Sequence, residues 1–233
     1  MRNKAITKCI VLFTLIISML AGVLSFTSCN RSYDEEEVLS CCRELLPRAE
    51  MLNDVYYGKG IAYNTLSGMQ NGAYFDADVT HLKSLGFETV AELKEITEKT
   101  FTVDYSIQIY ESILSPLNVD GVNLGLARYY QRYEGDSEFN APLCIMVYSK
   151  FTPLYKDTVV FDYSSLRVEG SKGQIVTVCV DASIINDEGE SRDTVIDIQL
   201  IEEKDGWRIN NHTWANYNSF SDRLEELEKE ELK

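Results

Sequence analysis

The chain has 233 residues, 22 Lys and Arg against 37 Asp and Glu, and a formal charge of −15. So acidic a chain excludes nucleic acid and anionic lipid as direct ligands, because both would be repelled rather than recruited. Its length suits one domain with a core large enough to fold without metal or disulfide staples.

Arg2, Lys4 and Lys8 form a short cationic start, and residues 10–26 follow as an uncharged apolar run. As a helix that run spans about 26 Å, short of the ~30 Å hydrocarbon core, which favours a cleaved signal over a membrane span. Small residues Thr27 and Ser28 then lead to Cys29. Phe26-Thr27-Ser28-Cys29 resembles the lipobox of bacterial lipoproteins, with Phe26 where leucine is usual. The resemblance implies a signal peptide over residues 1–28, diacylglycerol on the Cys29 thiol, and a mature chain of 205 residues. It also implies export and anchoring on the outer face of the cytoplasmic membrane, with the membrane as a partner through that lipid. Removing the three signal cations leaves 19 basic and 37 acidic residues, a balance of −18. Cationic peptides or basic envelope proteins therefore remain possible partners.

Residues 29–34 read as a tether and 35–219 as a single α+β domain. Helical signals come first. Val38, Cys41/Cys42, Leu45, Ala49, Leu52 and Val55/Tyr56 recur at helical spacing behind the acidic turn Asp34-Glu35-Glu36-Glu37. Pro47 should kink or split this helix, and Gly58-Lys59-Gly60 should stop it. The polar stretch to Gly86 reads as a long loop. Thr89 with Glu92 makes a capping box for a helix to about Lys99, and Thr102 starts another with the stripe Val103, Ile107, Tyr110 and Leu114. The period then becomes alternating. Residues 127–133, 143–149, 158–161, 166–169, 175–185, 194–203 and 207–210 are strand candidates, with turns at 186–189 and 204–206. Helices followed by an antiparallel meander define an α+β order. Residues 220–233 close as an acidic C-terminal helix or tail.

This order, with the ending Lys204-Asp205-Gly206-Trp207-Arg208-Ile209, resembles the cone-shaped nuclear-transport-factor-2-like superfamily. Within it, residues 45–60, 92–110 and Arg128-Tyr129-Tyr130 resemble a group of exported Gram-positive lipoproteins of unknown function. His212-Thr213-Trp214 departs from that group, where a proline tends to precede the threonine. A more distant resemblance is to secreted inhibitors of cell-wall DL-endopeptidases. The fold implies a pocket between the helices and a curved sheet.

No Gly-x-Ser-x-Gly or His-Glu-x-x-His occurs, and Gly58-Lys59-Gly60 is too short for a phosphate loop. His81 and His212 lack metal-ligand spacing and read as surface or loop residues. Cys41, Cys42, Cys144 and Cys179 show no zinc spacing; buried free thiols are the default, with a Cys144–Cys179 disulfide the alternative. Asp76, Asp78 and Glu88 are a loose calcium candidate, better read as a solvated loop. Asp104 and Asp197 are general-base candidates, better read as a helix-turn acid and an outward strand residue. Aromatic residues carry the ligand-binding reading: Tyr129 and Tyr133 on one strand face, opposite to Tyr130, with Trp207 and Trp214 near the last strand. The competing reading is that these rings are simply core. No cofactor is expected, and the domain should be a monomer. The leading function is a lipid-anchored extracytoplasmic binding module for a small ligand, peptide or envelope protein. Alternatives are a non-catalytic regulator of cell-wall hydrolases, and a small-molecule enzyme using the pocket.

Overall fold

A computed structural model describes residues 33–67, 73–115, 118–119, 122–123, 127–133, 143–153, 155, 157–186 and 188–213. Cys29, the signal, the C-terminal acidic segment and Trp214 lie outside the described residues.

Helix α1 (Glu35–Tyr56) begins where Asp34 accepts the Glu36 and Glu37 amides, with three acids in its first turn facing the positive helix end. It runs unbroken through Pro47, correcting the expected split. One missing amide is outweighed because Val38, Cys42, Leu46, Ala49 and Leu52, on both sides of the proline, bury against one core. The larger aliphatic side chains among them, Val38, Leu46 and Leu52, contribute about 1.5–3 kcal/mol each.

The stretch read as a loop is more ordered than expected. It holds β1 (Tyr74–Asp76) and helix α2 (Val79–Leu85), capped by Asp78 and ended at Gly86 with φ +86°. β1 is only three residues long, too short for alternation to register, and it is fixed by non-local pairing. Helix α3 (Val90–Thr100) carries the expected Thr89–Glu92 capping box. Helix α4 (Val103–Ile109) continues into a π-helical turn, Tyr110–Leu114. Its inward residues are Ser106, Ile109 and Ile113, while Val103 and Ile107 are about half exposed. The expected stripe was therefore out of phase. The Thr102 amide donates to the Ile209 carbonyl and the Thr102 hydroxyl to Asn210 Oδ1, and this docking sets the rotation of the helix.

Three antiparallel sheets follow, confirming the α+β class while dividing the expected single meander. β4 (Tyr129–Arg132) and β5 (Cys144–Tyr148) form a three-stranded sheet with β1, in the order β1-β5-β4. The short pair β2 (Asn118–Val119) and β3 (Val122–Asn123) stands alone. β6 (Thr158–Lys172), β7 (Ile175–Ile185), β8 (Ser191–Glu203) and β9 (Gly206–Ile209) form a meander in sequence order. β6 joins the two strand candidates 158–161 and 166–169 across a register shift between Asp162 and Arg167.

Alternation sorts this meander into two faces. Val176, Val178, Val180, Ala182 and Ile184 on β7, with Ile196, Ile198 and Leu200 on β8, turn to the core. Asp181 and Asp197 turn outward. Helix α1 packs against β6 and β9, and one buried cluster extends from Val38 to Ile209. Trp207 is buried in it, at 8% exposure. Tyr130 is half-buried, its ring set edge-on against Tyr74 at 4.8 Å.

Truncating a buried tryptophan removes transfer energy and leaves a cavity, at a typical cost of about 3–5 kcal/mol. Trp207→Ala is therefore expected to lower the denaturant midpoint severely, and Tyr130→Ala to lower it less. Equal midpoints for wild type and Trp207→Ala would show that the ring contributes nothing to the core.

Candidate functional site

The described residues do not assemble the expected aromatic site. Tyr129 is buried and its hydroxyl is committed twice: it donates to the Val55 carbonyl at 2.7 Å and accepts the Ile61 amide at 3.0 Å. Burial pushes this phenol up to about 12. Tyr133 lies past the end of β4 and is 61% exposed, so it shares no surface with Tyr129. Trp207 is core. These three rings are accounted for by packing or by solvent, and none lines the cleft described below.

The remaining candidates separate in the same way. Asp76 pairs with Arg132 at 2.8 Å and Asp78 caps α2, which takes both out of the calcium reading. Asp104 sits in the first turn of α4. His81 lies on α2 rather than in a loop and accepts the Ala62 amide on Nδ1 at 2.9 Å. His212 lies in the loop after β9, as expected, but its ring is packed rather than free in solvent. Its ring packs against Tyr57 (5.2 Å between centroids) and Tyr155 (6.1 Å), and burial holds the imidazole down to about 4.

Cys41, Cys42, Cys144 and Cys179 are free thiols. Cys144 and Cys179 belong to different sheets, which accounts for the absence of the alternative disulfide. Cys179 lies on the outer face of the meander, 3.3 Å from both Glu169 and Asp197. Burial, then the hydrogen bonds to these carboxylates, pushes its thiol up to about 12. It is a protonated donor near neutrality, not a nucleophile.

The concave feature with buried polar groups lies elsewhere, between the C-terminal half of α1 and the start of β6. Glu50, Asn53 and Asp54 occupy helix positions i, i+3 and i+4, so they share one face of α1. Across from them stand Tyr155, Asp157 and Phe161, enclosing a cleft of about 260 Å³. Thr213 closes one end. It is carried there because residues 210 and 211 continue along β8: the Asn210 amide donates to the Gln199 carbonyl, the Gln199 amide donates to Asn211 Oδ1, and Asn211 Nδ2 donates to the Asp197 carbonyl.

Asn53 is 2% exposed. Its Nδ2 donates to Thr213 Oγ1 at 2.8 Å, while its Oδ1 has no hydrogen-bond partner among the described residues. A buried acceptor left without a donor costs about 1–3 kcal/mol. Glu50 accepts the Tyr163 hydroxyl at 2.6 Å; burial raises its carboxyl above the usual range, partly offset by that bond. Asp54 Oδ1 accepts the Lys59 amide. Sequence reasoning missed this site. Its residues are scattered over four segments, and the only local signal was the three polar residues sharing a face of a core helix.

Comparison of the chain with protein-family models, with curated proteins and with solved structures gives no match. The residues themselves carry the functional argument.

His212 yields a pH dependence. A histidine whose folded pKa is about 4, against 6.5 ordinarily, binds its proton more readily when the chain is unfolded. Stability is then full above pH 6.5, falls as the pH drops toward 4, and levels off below. The loss is on the order of 3 kcal/mol at most. Denaturant melts between these limits should show the slope, and His212→Phe, which keeps an aromatic ring against Tyr57 and Tyr155, should flatten it. An unchanged slope in His212→Phe would contradict this assignment.

Proposed function

We propose that the chain is a lipid-anchored extracytoplasmic binding module whose ligand occupies the α1–β6 cleft. The observation that carries the reading is the cleft itself, a concave surface of about 260 Å³ that sets the polar face of α1, Glu50, Asn53 and Asp54, against Tyr155, Asp157 and Phe161.

The anchor rests on the n-region, the apolar run and Phe26-Thr27-Ser28-Cys29. Among the described residues no helix is long and apolar enough to cross a membrane. The resemblance to the cone-shaped superfamily remains part of this proposal, supported by helices packed on the long β6–β9 meander. Against the enzyme alternative stands the state of the candidate groups: the Cys179 thiol is held protonated and His212 is wedged between tyrosine rings.

Two measurements test the reading. Cys29→Ala should abolish fatty-acid labelling and release the domain from the membrane fraction; continued labelling would refute the anchor. A thermal-shift screen of small polar compounds should give stabilising hits that disappear in Thr158→Trp, an exposed position at the cleft. A compound binding at [L] = 100 Kd stabilises by about 2.7 kcal/mol, well within reach of such a screen. Hits that persist unchanged in the filled variant would remove the cleft from the account.

A further inference from the structure

We propose that Glu169, Cys179 and Asp197, on the outward face of the β6–β9 meander, form a binding site for a divalent cation of the zinc class. The site shares no residue with the α1–β6 cleft, so it stands or falls independently of the binding-module reading.

Three adjacent strands each supply one ligand. Cys179 on β7 and Asp197 on β8 are directly opposite cross-strand partners. Glu169 reaches them from β6 through a bulge: Val168 pairs with Val178 and Gly170 with Thr177, which leaves Glu169 as an extra residue. An extra residue of this kind re-aims a side chain without breaking the sheet. The Cys179 sulfur lies 3.3 Å from Glu169 Oε2 and 3.3 Å from Asp197 Oδ1, and the three ligand atoms all lie within 4.8 Å of one another. A tetrahedral zinc, with bonds of about 2.3 Å to sulfur and about 2.0–2.2 Å to oxygen, sets its ligands about 3.3–3.7 Å apart. Small side-chain rotations therefore suffice to receive the ion.

A shortage of protons and cations at the sulfur points to the ion. Cys179 is only 4% exposed and its thiol carries one proton, yet two carboxylate oxygens stand at hydrogen-bonding distance from it. One of the two therefore faces sulfur lone pairs with no proton between them. Among the described residues no donor reaches this sulfur, and no ion pair holds Glu169 or Asp197. Arg167, the cross-strand partner of Cys179 on β6, is turned to Asp181 at 2.9 Å instead. A divalent cation relieves all three groups at once: the thiol proton leaves to solvent, the sulfur binds as thiolate, and the two carboxylates share the remaining charge. Calcium and magnesium take oxygen sets and copper(I) takes sulfur sets, whereas one thiolate with two carboxylates suits borderline-soft zinc. Three protein ligands leave the fourth tetrahedral position open to water or to a donor group of another molecule. Glu169 and Asp197 are exposed, so the ion reaches the sulfur from solvent by way of them.

The test uses the full chain in detergent micelles, stripped with a chelator and kept reduced, with Co²⁺ as a spectroscopic stand-in for Zn²⁺. One equivalent of Co²⁺ is expected to give a sulfur-to-metal charge-transfer band in the near ultraviolet, and Zn²⁺, but not Ca²⁺, to remove it. Glu169→Gln and Asp197→Asn, at exposed positions outside the core, should each weaken Co²⁺ binding by about tenfold or more. Cys179→Ser should abolish the band, whereas Cys41→Ser and Cys144→Ser should leave it unchanged. No band in a large excess of Co²⁺ would overturn the proposal. So would a band that survives in Cys179→Ser, or one indifferent to both carboxylate substitutions.

Discussion

The reversal of the chain at the end of α1 depends on a clamp made by two consecutive residues of the 127–132 segment. Tyr129 ties the Val55 carbonyl to the Ile61 amide through one hydroxyl. Arg128 donates to the Gly58 carbonyl at 2.8 Å, with its guanidinium 3.9 Å from the Phe151 ring centre and 5.3 Å from that of Tyr129. Burial lowers the Arg128 pKa, opposed by Tyr129 and Asp54 nearby. A cation this buried is tolerated because the helix end supplies carbonyl oxygen and negative dipole, and the rings supply π faces. The same clamp closes the loop against itself: the Gly60 amide returns to the Asp54 carbonyl, and the Lys59 amide to the Asp54 side chain.

The position of the cleft follows. The clamp holds the three-stranded sheet to the C-terminal turn of α1, while β6 and β9 pack along the same helix from the meander. The face bearing Glu50, Asn53 and Asp54 is left between them, and Thr213 arrives from the edge of β8. Asp54 belongs to both structures, accepting from the loop and lining the cleft. The acceptor-rich surface is thus a consequence of how two sheets share one helix.

Much of this was legible in the sequence where the signals are local. The Thr89–Glu92 box, the long β7 and β8 runs and the buried Trp207 follow from capping chemistry, alternation and turn residues. The misses come from interactions distant in sequence. β1 exists because Tyr74, Phe75 and Asp76 pair with Tyr148, Val147 and Met146. Helix α4 is rotated by its attachment to the end of β9. Pro47 is overridden by burial on both sides. Tyr129 was expected to bind a ligand, whereas its hydroxyl is committed to the end of the helix. The cleft was hidden because an asparagine inside an apolar helical stripe looks, in sequence, like ordinary solvent exposure.

Gly60 offers the most direct test of the clamp. Its φ is +79°, and a Cβ there would lie 2.0 Å from Arg128 Nη2 and 2.5 Å from the Tyr129 hydroxyl. Arg128 is only 4% exposed, and the same Nη2 donates to the Gly58 carbonyl, so moving it away from the new Cβ would sacrifice that bond. A denaturant melt of Gly60→Ala should therefore show a loss of about 2 kcal/mol or more, from left-handed strain and overpacking together. A change within about 0.5 kcal/mol, the range of an ordinary surface substitution, would contradict the claim that this reversal is held by Arg128 and Tyr129.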